Sequence, residues 1–368
     1  MREPFAARCS KLLRTARHYA ARAVLVTKPE NVFYLSGFTG EDSWLIVAPR
    51  KRILVTDSRF AEEARLSCPD IEAHIRKGGV ARETAGILKR LRLPTAFEEG
   101  HLTVQAYRML SGALKRRVRL VRTANLAESL RLVKDRHEIA AIRRAILVAE
   151  KAFKRALADA RPSDDESRFA GVLDYYMRLA GAETSAFPTI AAVEPNSSLP
   201  HAKPGTQRLC DSHTLLVDWG ARVARYNSDL TRVLWWGKVP AQLSRIWRVA
   251  KAAQKAALAA IRPGVSARRV DAVTRKVIAD AGFGEFFGHG LGHGAGLEVH
   301  EGPTLSLRST VRLREGMVLT VEPGIYLPGT GGVRVEDMVL VTAKGAEILT
   351  HVSREPRVLG RLARKIRQ

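Results

Sequence analysis

An internal repeat constrains this chain more than any other feature. The segment beginning Lys151-Ala152-Phe153 ends in Ala160-Arg161-Pro162-Ser163, and the segment beginning Lys251-Ala252-Ala253 ends in Ile261-Arg262-Pro263-Gly264. The two Arg-Pro pairs lie 101 residues apart (262 − 161). Each segment predicts an amphipathic helix stopped at its proline, which lacks the N–H a helix interior needs, with a second helix after the turn. In the first copy the Ser163 to Glu166 spacing predicts a capping box. Strand-like runs follow each pair: Thr189–Val193, Leu215–Trp219 and Asp229–Trp235 in the first copy, Met317–Val321 and Val333–Val341 in the second. Two similar half-domains face each other across a cleft, and clefts are where convergent side chains act.

The first third reads differently. Short apolar strands at Ala23–Val26, Trp44–Val47 and Ile53–Val55 alternate with helical segments such as Ala81–Leu91, the pattern of an α/β domain. Met1–Ala23 predicts a first amphipathic helix with Phe5, Leu12, Leu13 and Ala16 towards a core, rather than a transit peptide. Long charged helices begin near Leu126–Asp135, which divides the chain into domains 1–127 and 128–368. At 368 residues it has length for two cores, within an α/β (α+β) class.

Composition narrows the function classes. The chain carries 61 Lys and Arg against 37 Asp and Glu, a net +24. The basic residues are scattered as Arg among Ala and Leu, with one run at Arg354–Gln368, and no aromatic and glycine signature interleaves with them. A solvated basic surface is expected, and no nucleic-acid partner. No apolar stretch approaches the roughly 20 residues of a membrane span, so no membrane association is expected. Cys9, Cys68 and Cys210 lie far apart, without the short spacings of zinc-thiolate sites, and point to a reducing cytoplasm.

Acids stand where strands should be apolar: Asp218 in Leu215–Gly220, Asp229 in Asn227–Leu230, Glu322 in Leu319–Gly324, Glu336 in Val333–Asp337. A carboxylate in such a setting is costly unless paired or metal-bound. Two from each half-domain require a common cause. The tract Gly288-His289-Gly290-Leu291-Gly292-His293-Gly294-Ala295-Gly296-Leu297-Glu298-Val299-His300-Glu301 adds three histidines, with glycines that let backbone approach a ligand. It lacks the Lys-Ser/Thr ending of a P-loop and the strand-to-helix setting of a dinucleotide fingerprint. Carboxylates with one or two imidazoles suit manganese, cobalt or zinc, and two such ions polarise a carbonyl and generate hydroxide near neutral pH.

In these residues the chain resembles the pita-bread metallopeptidases, in particular their aminopeptidase P and prolidase branch. The order Asp218, Asp229, His293, Glu322, Glu336, the tract GHGLGHGAGLEVHE, the motifs VEPGIY and VRVED, and the segment FPTIAAVEPNSSLPHAKPG carry the resemblance. The stretch VLVTKPENVFYLSGFTGEDSWLIV is similar to the creatinase-like N-terminal domain of that branch. The resemblance implies that Asp218, Asp229, His293, Glu322 and Glu336 ligate two divalent ions, manganese first with cobalt or zinc behind it, and that Asp229 and Glu336 bridge them. It places His201, His289 and His300 in the substrate pocket and Arg334 near the bridging carboxylates, and leaves Tyr326 to packing. Two departures, Glu194 and Met338, are expected to touch no ligand. The implied reaction is hydrolysis of the Xaa-Pro bond at the N-terminus of small peptides by metal-bound hydroxide, with Glu322 carrying the proton to the leaving nitrogen. A homodimer is also implied. A methionine aminopeptidase-like enzyme and a metal-free binding protein on the same scaffold are the alternatives.

Overall fold

The computed structural model describes residues 4–358. The chain folds as two compact units, one running to Arg131 and one from Leu132 onward. No helix among the described residues is long and apolar enough to cross a membrane. Most of the expected basic run at Arg354–Gln368, from residue 359 on, lies outside the described residues.

The first unit is a mixed six-stranded sheet with helices. Its strands are β1 (Ala23–Val26), β2 (Trp44–Ala48), β3 (Lys51–Thr56), β4 (Glu72–Ile75), β5 (Thr95–Glu98) and β6 (Leu120–Thr123), in the order β4-β3-β2-β1-β5-β6. Strands β1 and β2 are buried at every residue, the mark of strands covered on both faces. The helices are α1 (Phe5–Arg17), α2 (Pro29–Ser36), α3 (Ala61–Ser67), α4 (Val80–Leu91), α5 (Val104–Leu114) and α6 (Glu128–Arg131). Helix α1 buries Cys9, Leu12 and Ala16, while Phe5 and Leu13, expected towards the core, are only half-buried.

In the second unit the repeat becomes three-dimensional. Helices α7 (Arg136–Asp159) and α8 (Glu166–Leu179) precede β7 (Thr184–Ser185), β8 (Ile190–Val193), β9 (Thr214–Trp219), β10 (Ala221–Val223), β11 (Tyr226–Asn227) and β12 (Leu230–Trp235). Helices α9 (Ala241–Ala260) and α10 (Ala267–Asp280) precede β13 (Gly292–Gly294), β14 (Glu301–Leu305), β15 (Val318–Val321), β16 (Gly324–Leu327), β17 (Gly331–Arg334), β18 (Asp337–Thr342), β19 (Gly345–Ile348) and β20 (Arg357–Val358). Three of the four helix ends keep the offset of 101 residues (260 − 159, 267 − 166, 280 − 179). The main sheets run β20-β12-β9-β8 and β14-β13-β15-β18-β19. Each helix pair covers its own apolar cluster: Phe153, Phe169, Leu173 and Trp219 in one, Ile246, Val270, Leu319 and Val339 in the other.

Two local expectations are corrected. The cap of α8 is Asp165, which accepts from the Arg168 N–H, and Glu166 is buried instead of closing a box with Ser163. The capping box belongs to α7, where Asp135 and Glu138 exchange bonds with each other's backbone. The single strand expected over Val333–Val341 is two strands, β17 pairing with β16 and β18 with β15 and β19. The backbone changes partners between them, Val335 N–H donating to Pro323 and Glu336 N–H to Thr231.

Candidate metal centre

The half-domains present their acids in the same way. In the first, β9 and β12 pair antiparallel, with Asp218 one residue from the end of β9 and Asp229 just before β12. In the second, β15 and β18 pair antiparallel, with Glu322 just after β15 and Glu336 just before β18. Each strand pair thus carries two carboxylates at one end. Asp229, His293 and Glu336 offer ligand atoms within 4.8 Å of one another. His293 Nε2 stands 3.3 Å from Glu322 Oε1 and 3.7 Å from Asp229 Oδ2. Asp218 is held by Arg334 at 2.6 Å.

Burial makes this cluster electrostatically expensive. Desolvation, then repulsion from Glu336 and Asp218, pushes the Asp229 carboxyl well above the usual carboxylate range. Desolvation and the charges of Glu322 and Asp218 do the same to Glu336, and desolvation raises Asp218 against the pull of Arg334. Burial also opposes the charge on Glu322, but the hydrogen bond and charge of His293 outweigh it and hold that carboxyl low. Asp218 Oδ1 and Glu336 Oε1 are buried with no hydrogen-bond partner among the described residues. Oxygen donors crowded together, two of them unpartnered, beside one imidazole are a donor set for hard or borderline divalent cations. The residues therefore fit the ions.

Of the remaining histidines, the exposed His300 stands by the centre, its ring 4.2 Å from that of His293; His201 is exposed on the loop between β8 and β9. His289 is reached through Tyr326, whose hydroxyl lies 3.2 Å from His289 Nε2 and accepts from Arg334 at 2.8 Å. Tyr326 thus has a polar link as well as the packing role expected of it. Two glycines of the tract admit neighbouring backbone: a Cβ at Gly292 would strike the Thr320 carbonyl, and one at Gly294 the Gly302 carbonyl. That close packing lets the His293 N–H donate to Thr320 Oγ1 at 3.0 Å.

Several residues that hold the site escaped the sequence reading. Glu166 accepts from the N–H groups of Val193 (2.7 Å) and Gly205 (2.8 Å) and from the Asn196 amide (2.9 Å), tying off both ends of the loop that carries His201. On α10, Asp271 accepts from Leu291 N–H at 3.0 Å and pairs with Arg275, which donates to the carbonyls of Phe287 and His289. Thr231 donates to Glu336 Oε2 at 2.6 Å and accepts from Arg334 Nε at 2.9 Å. Met338 is a correction, because its sulfur accepts the N–H of Asp229 at 3.3 Å and so touches the backbone of a ligand position. Glu194 instead caps the turn before β9, accepting from His213 and Thr214 N–H. A buried polar side chain in an apolar helix face was the available signal for Glu166 and Asp271, but nothing local identified the partners.

Residues 140–343 match the model of metallopeptidase family M24, and residues 8–133 match the Creatinase/Prolidase N-terminal domain. The chain is 34% identical over 344 residues to an Xaa-Pro dipeptidase of Pyrococcus horikoshii, spanning 90% of this chain and 93% of that protein. The solved Xaa-Pro dipeptidase from Bacillus anthracis matches with a TM-score of 0.92 at 33% identity, over 96% of this chain and 99% of that one. An X-Pro aminopeptidase from Thermotoga maritima matches with a TM-score of 0.87 at 35% identity, over 94% of this chain and 100% of that one. With a cleft of paired acids built on a duplicated half-domain and with these matches along its length, the chain belongs to metallopeptidase family M24, a pita-bread hydrolase with a Creatinase/Prolidase N-terminal domain.

Proposed function

We propose that this chain is a dinuclear-metal peptidase that hydrolyses the Xaa-Pro bond at the N-terminus of small peptides. One observation carries the reading: Asp229 and Glu336, one acid from each half-domain, converge with His293, Glu322 stands 3.3 Å from that histidine, and buried oxygens of Asp218 and Glu336 lack hydrogen-bond partners among the described residues. The choice of substrate is supported by the relatives named Xaa-Pro dipeptidase and X-Pro aminopeptidase. In this reading Asp218, Asp229, His293, Glu322 and Glu336 would hold the two ions. Residues 1–127 form the creatinase-like domain and residues 128–368 the catalytic one, a division supported to within a few residues by the break in packing after Arg131.

Divalent cations at such a donor set supply Lewis acidity towards a carbonyl and a nucleophile at neutral pH. The chain's own groups do the rest. In this reading the exposed His201 and His300 donate an imidazole N–H to the oxygen of the scissile carbonyl as charge develops on it, which is supported by the 4.2 Å between the rings of His300 and His293. Arg334 neutralises Asp218 and, through Tyr326, fixes the ring of His289. Glu322 is the proposed group to accept a proton and pass it to the departing imino nitrogen, which must be protonated to leave. Proline has a tertiary amide with no N–H and a φ near −65°, so a site can select it by shape without leaving a donor unpaired.

Manganese is the proposed native metal, with cobalt and zinc next. A homodimer and a cytoplasmic location complete the reading, the latter resting on three unpaired cysteines, two of them buried. The test is a panel of Xaa-Pro dipeptides and Xaa-Pro-Xaa tripeptides assayed with manganese, cobalt and zinc in turn. Turnover of Xaa-Pro peptides but not of matched Xaa-Ala peptides is expected. Equal rates on both sets would remove the proline assignment.

A further inference from the structure

Behind the ligands of the second half-domain lies a buried polar network that the reaction above leaves unused. The inward face of α9 runs Trp247, Ala250, Gln254, Ala257, so an amide occupies a position that helical spacing assigns to the core. Gln254 is 1% exposed. Its Nε2 lies 3.2 Å from the carbonyl of Val321, 3.2 Å from that of Val335 and 3.0 Å from Asp337 Oδ2. Val321 immediately precedes Glu322, and Val335 and Asp337 flank Glu336. One amide nitrogen, with two hydrogens to share, therefore holds the chain beside both acids of this half-domain.

Asp337 extends the network. Fully buried, it also accepts from Arg232 at 2.7 Å, Thr350 at 2.5 Å and Arg354 at 2.5 Å. Arg232 donates in turn to the carbonyls of Thr231 and Glu336. Thr231 and Arg232 belong to β12, two and three residues past Asp229. The network thus spans both half-domains, adjoining Glu322 and Glu336 and reaching within two residues of Asp229. A buried ion pair adds little stability over apolar packing of the same volume, and a methionine at 254 would suit the helix face. Ligand carboxylates, by contrast, keep their affinity only when outer groups fix where they stand.

We propose that Gln254 and Asp337 are positioning residues for the metal centre, clamping the backbones of Glu322 and Glu336 to each other and to β12 so that the two half-domains present their oxygens at one fixed spacing. The clamp acts on backbone and not on the ligand side chains, whose free oxygens stay available to the ions. This rests on the dinuclear reading above, and the experiment separates the two.

The full chain, stripped by chelation, is titrated with Mn2+ alone and followed by calorimetry. Wild type binds two ions; fewer than two would overturn the dinuclear reading and the clamp with it. Gln254→Met removes the donor at similar volume and weakens at least one of the two binding steps by roughly 10- to 100-fold. Ile246→Ala, a cut in the same core with no polar atom involved, lowers the melting temperature but leaves both steps within about twofold of wild type. Wild-type affinity in Gln254→Met overturns the clamp, and so does an equal weakening in Ile246→Ala, which would mean general loosening. Should the methionine variant fail to fold, Gln254→Asn, which keeps the amide but draws it back by one methylene, takes its place with the same expected weakening. Failure of both to fold would make Gln254 a stability residue and also overturn the proposal.

Discussion

The two halves of the catalytic unit share most helix ends and their strand pairs, yet they differ at one helix position. Residue 153 on α7 and residue 254 on α9 correspond through the 101-residue offset (254 − 153). In the first half that position is Phe153, stacked on Trp219 with ring centroids 4.1 Å apart and planes 17° from parallel. In the second it is Gln254, bonded to the carbonyls beside Glu322 and Glu336. At this helix position the first half offers a ring where the second offers an amide, and Asp218 and Asp229 take polar contacts from the second half, Arg334 for Asp218 and Met338 for Asp229. The second half also supplies His293. A duplicated scaffold can therefore keep its strand pairs while the corresponding helix position packs as a ring in one copy and bonds as an amide in the other.

The largest expected effect tests the symmetry itself. Asp229→Asn and Glu336→Gln, the corresponding acids of the two halves, should each lower Xaa-Pro turnover by about a thousandfold, roughly 4 kcal/mol in the barrier. Steady-state assays with saturating Mn2+ measure this, and a variant keeping more than about a tenth of the rate (about 1.4 kcal/mol in the barrier) would show that its half is not equivalent. Next comes Phe153→Ala, which should cost about 3 kcal/mol of stability by denaturant unfolding. It should leave Mn2+ affinity near wild type, the reverse of the Gln254 result. If Phe153→Ala weakened metal binding as Gln254→Met does, the contrast between the two positions would fail.

Glu166→Ala sharpens the comparison from the helix side. Without the carboxylate, the Val193 and Gly205 N–H groups lose their acceptor, at about 2 kcal/mol of stability. Because these groups close the loop that carries His201, kcat/KM should fall further than that of a surface variant of equal melting temperature. A loss in stability alone would make Glu166 structural only.

The smallest effect concerns pH in the metal-free protein. Asp218, Asp229 and Glu336 have carboxyls raised by burial and mutual repulsion, so the folded chain holds more protons than the unfolded one between the ordinary carboxylate pKa and the raised values. Their contribution to stability therefore falls as pH rises through that window. Glu322, held low, contributes the opposite way and is lost only as pH drops. Three groups outweigh one, and cations reverse the three by demanding ionised ligands. The gap in melting temperature between Mn2+-loaded and chelated protein should thus widen as pH rises above the ordinary carboxylate range. A gap that narrows over that rise would contradict the burial of these carboxylates.

Much of the site was legible because it is made of residue types out of place. Acids inside apolar strands and histidines among glycines are visible without any fold, since the cost of burying them is a property of the side chains. The broken strand at Val335–Glu336 was not, because apolar alternation runs on through the break. What interrupts it is an exchange of pairing partners from β16 to β15. Gln254 escaped the sequence reading, because its acceptors lie 67 and 81 residues away. Glu166 matched a local cap and was used by a distant loop instead.

The sequence by itself determined the duplicated helix pairs, the four carboxylates and the histidine tract, because helix stops, periodicity and the chemistry of unsuitable burial are local properties. Only the tertiary structure decided which groups hold those ligands in place: Gln254, Asp337, Thr231, Met338 and the closure of the His201 loop by Glu166. A hydrogen bond needs its two partners within about 3 Å, and residues far apart in the chain meet that condition only after the half-domains have packed.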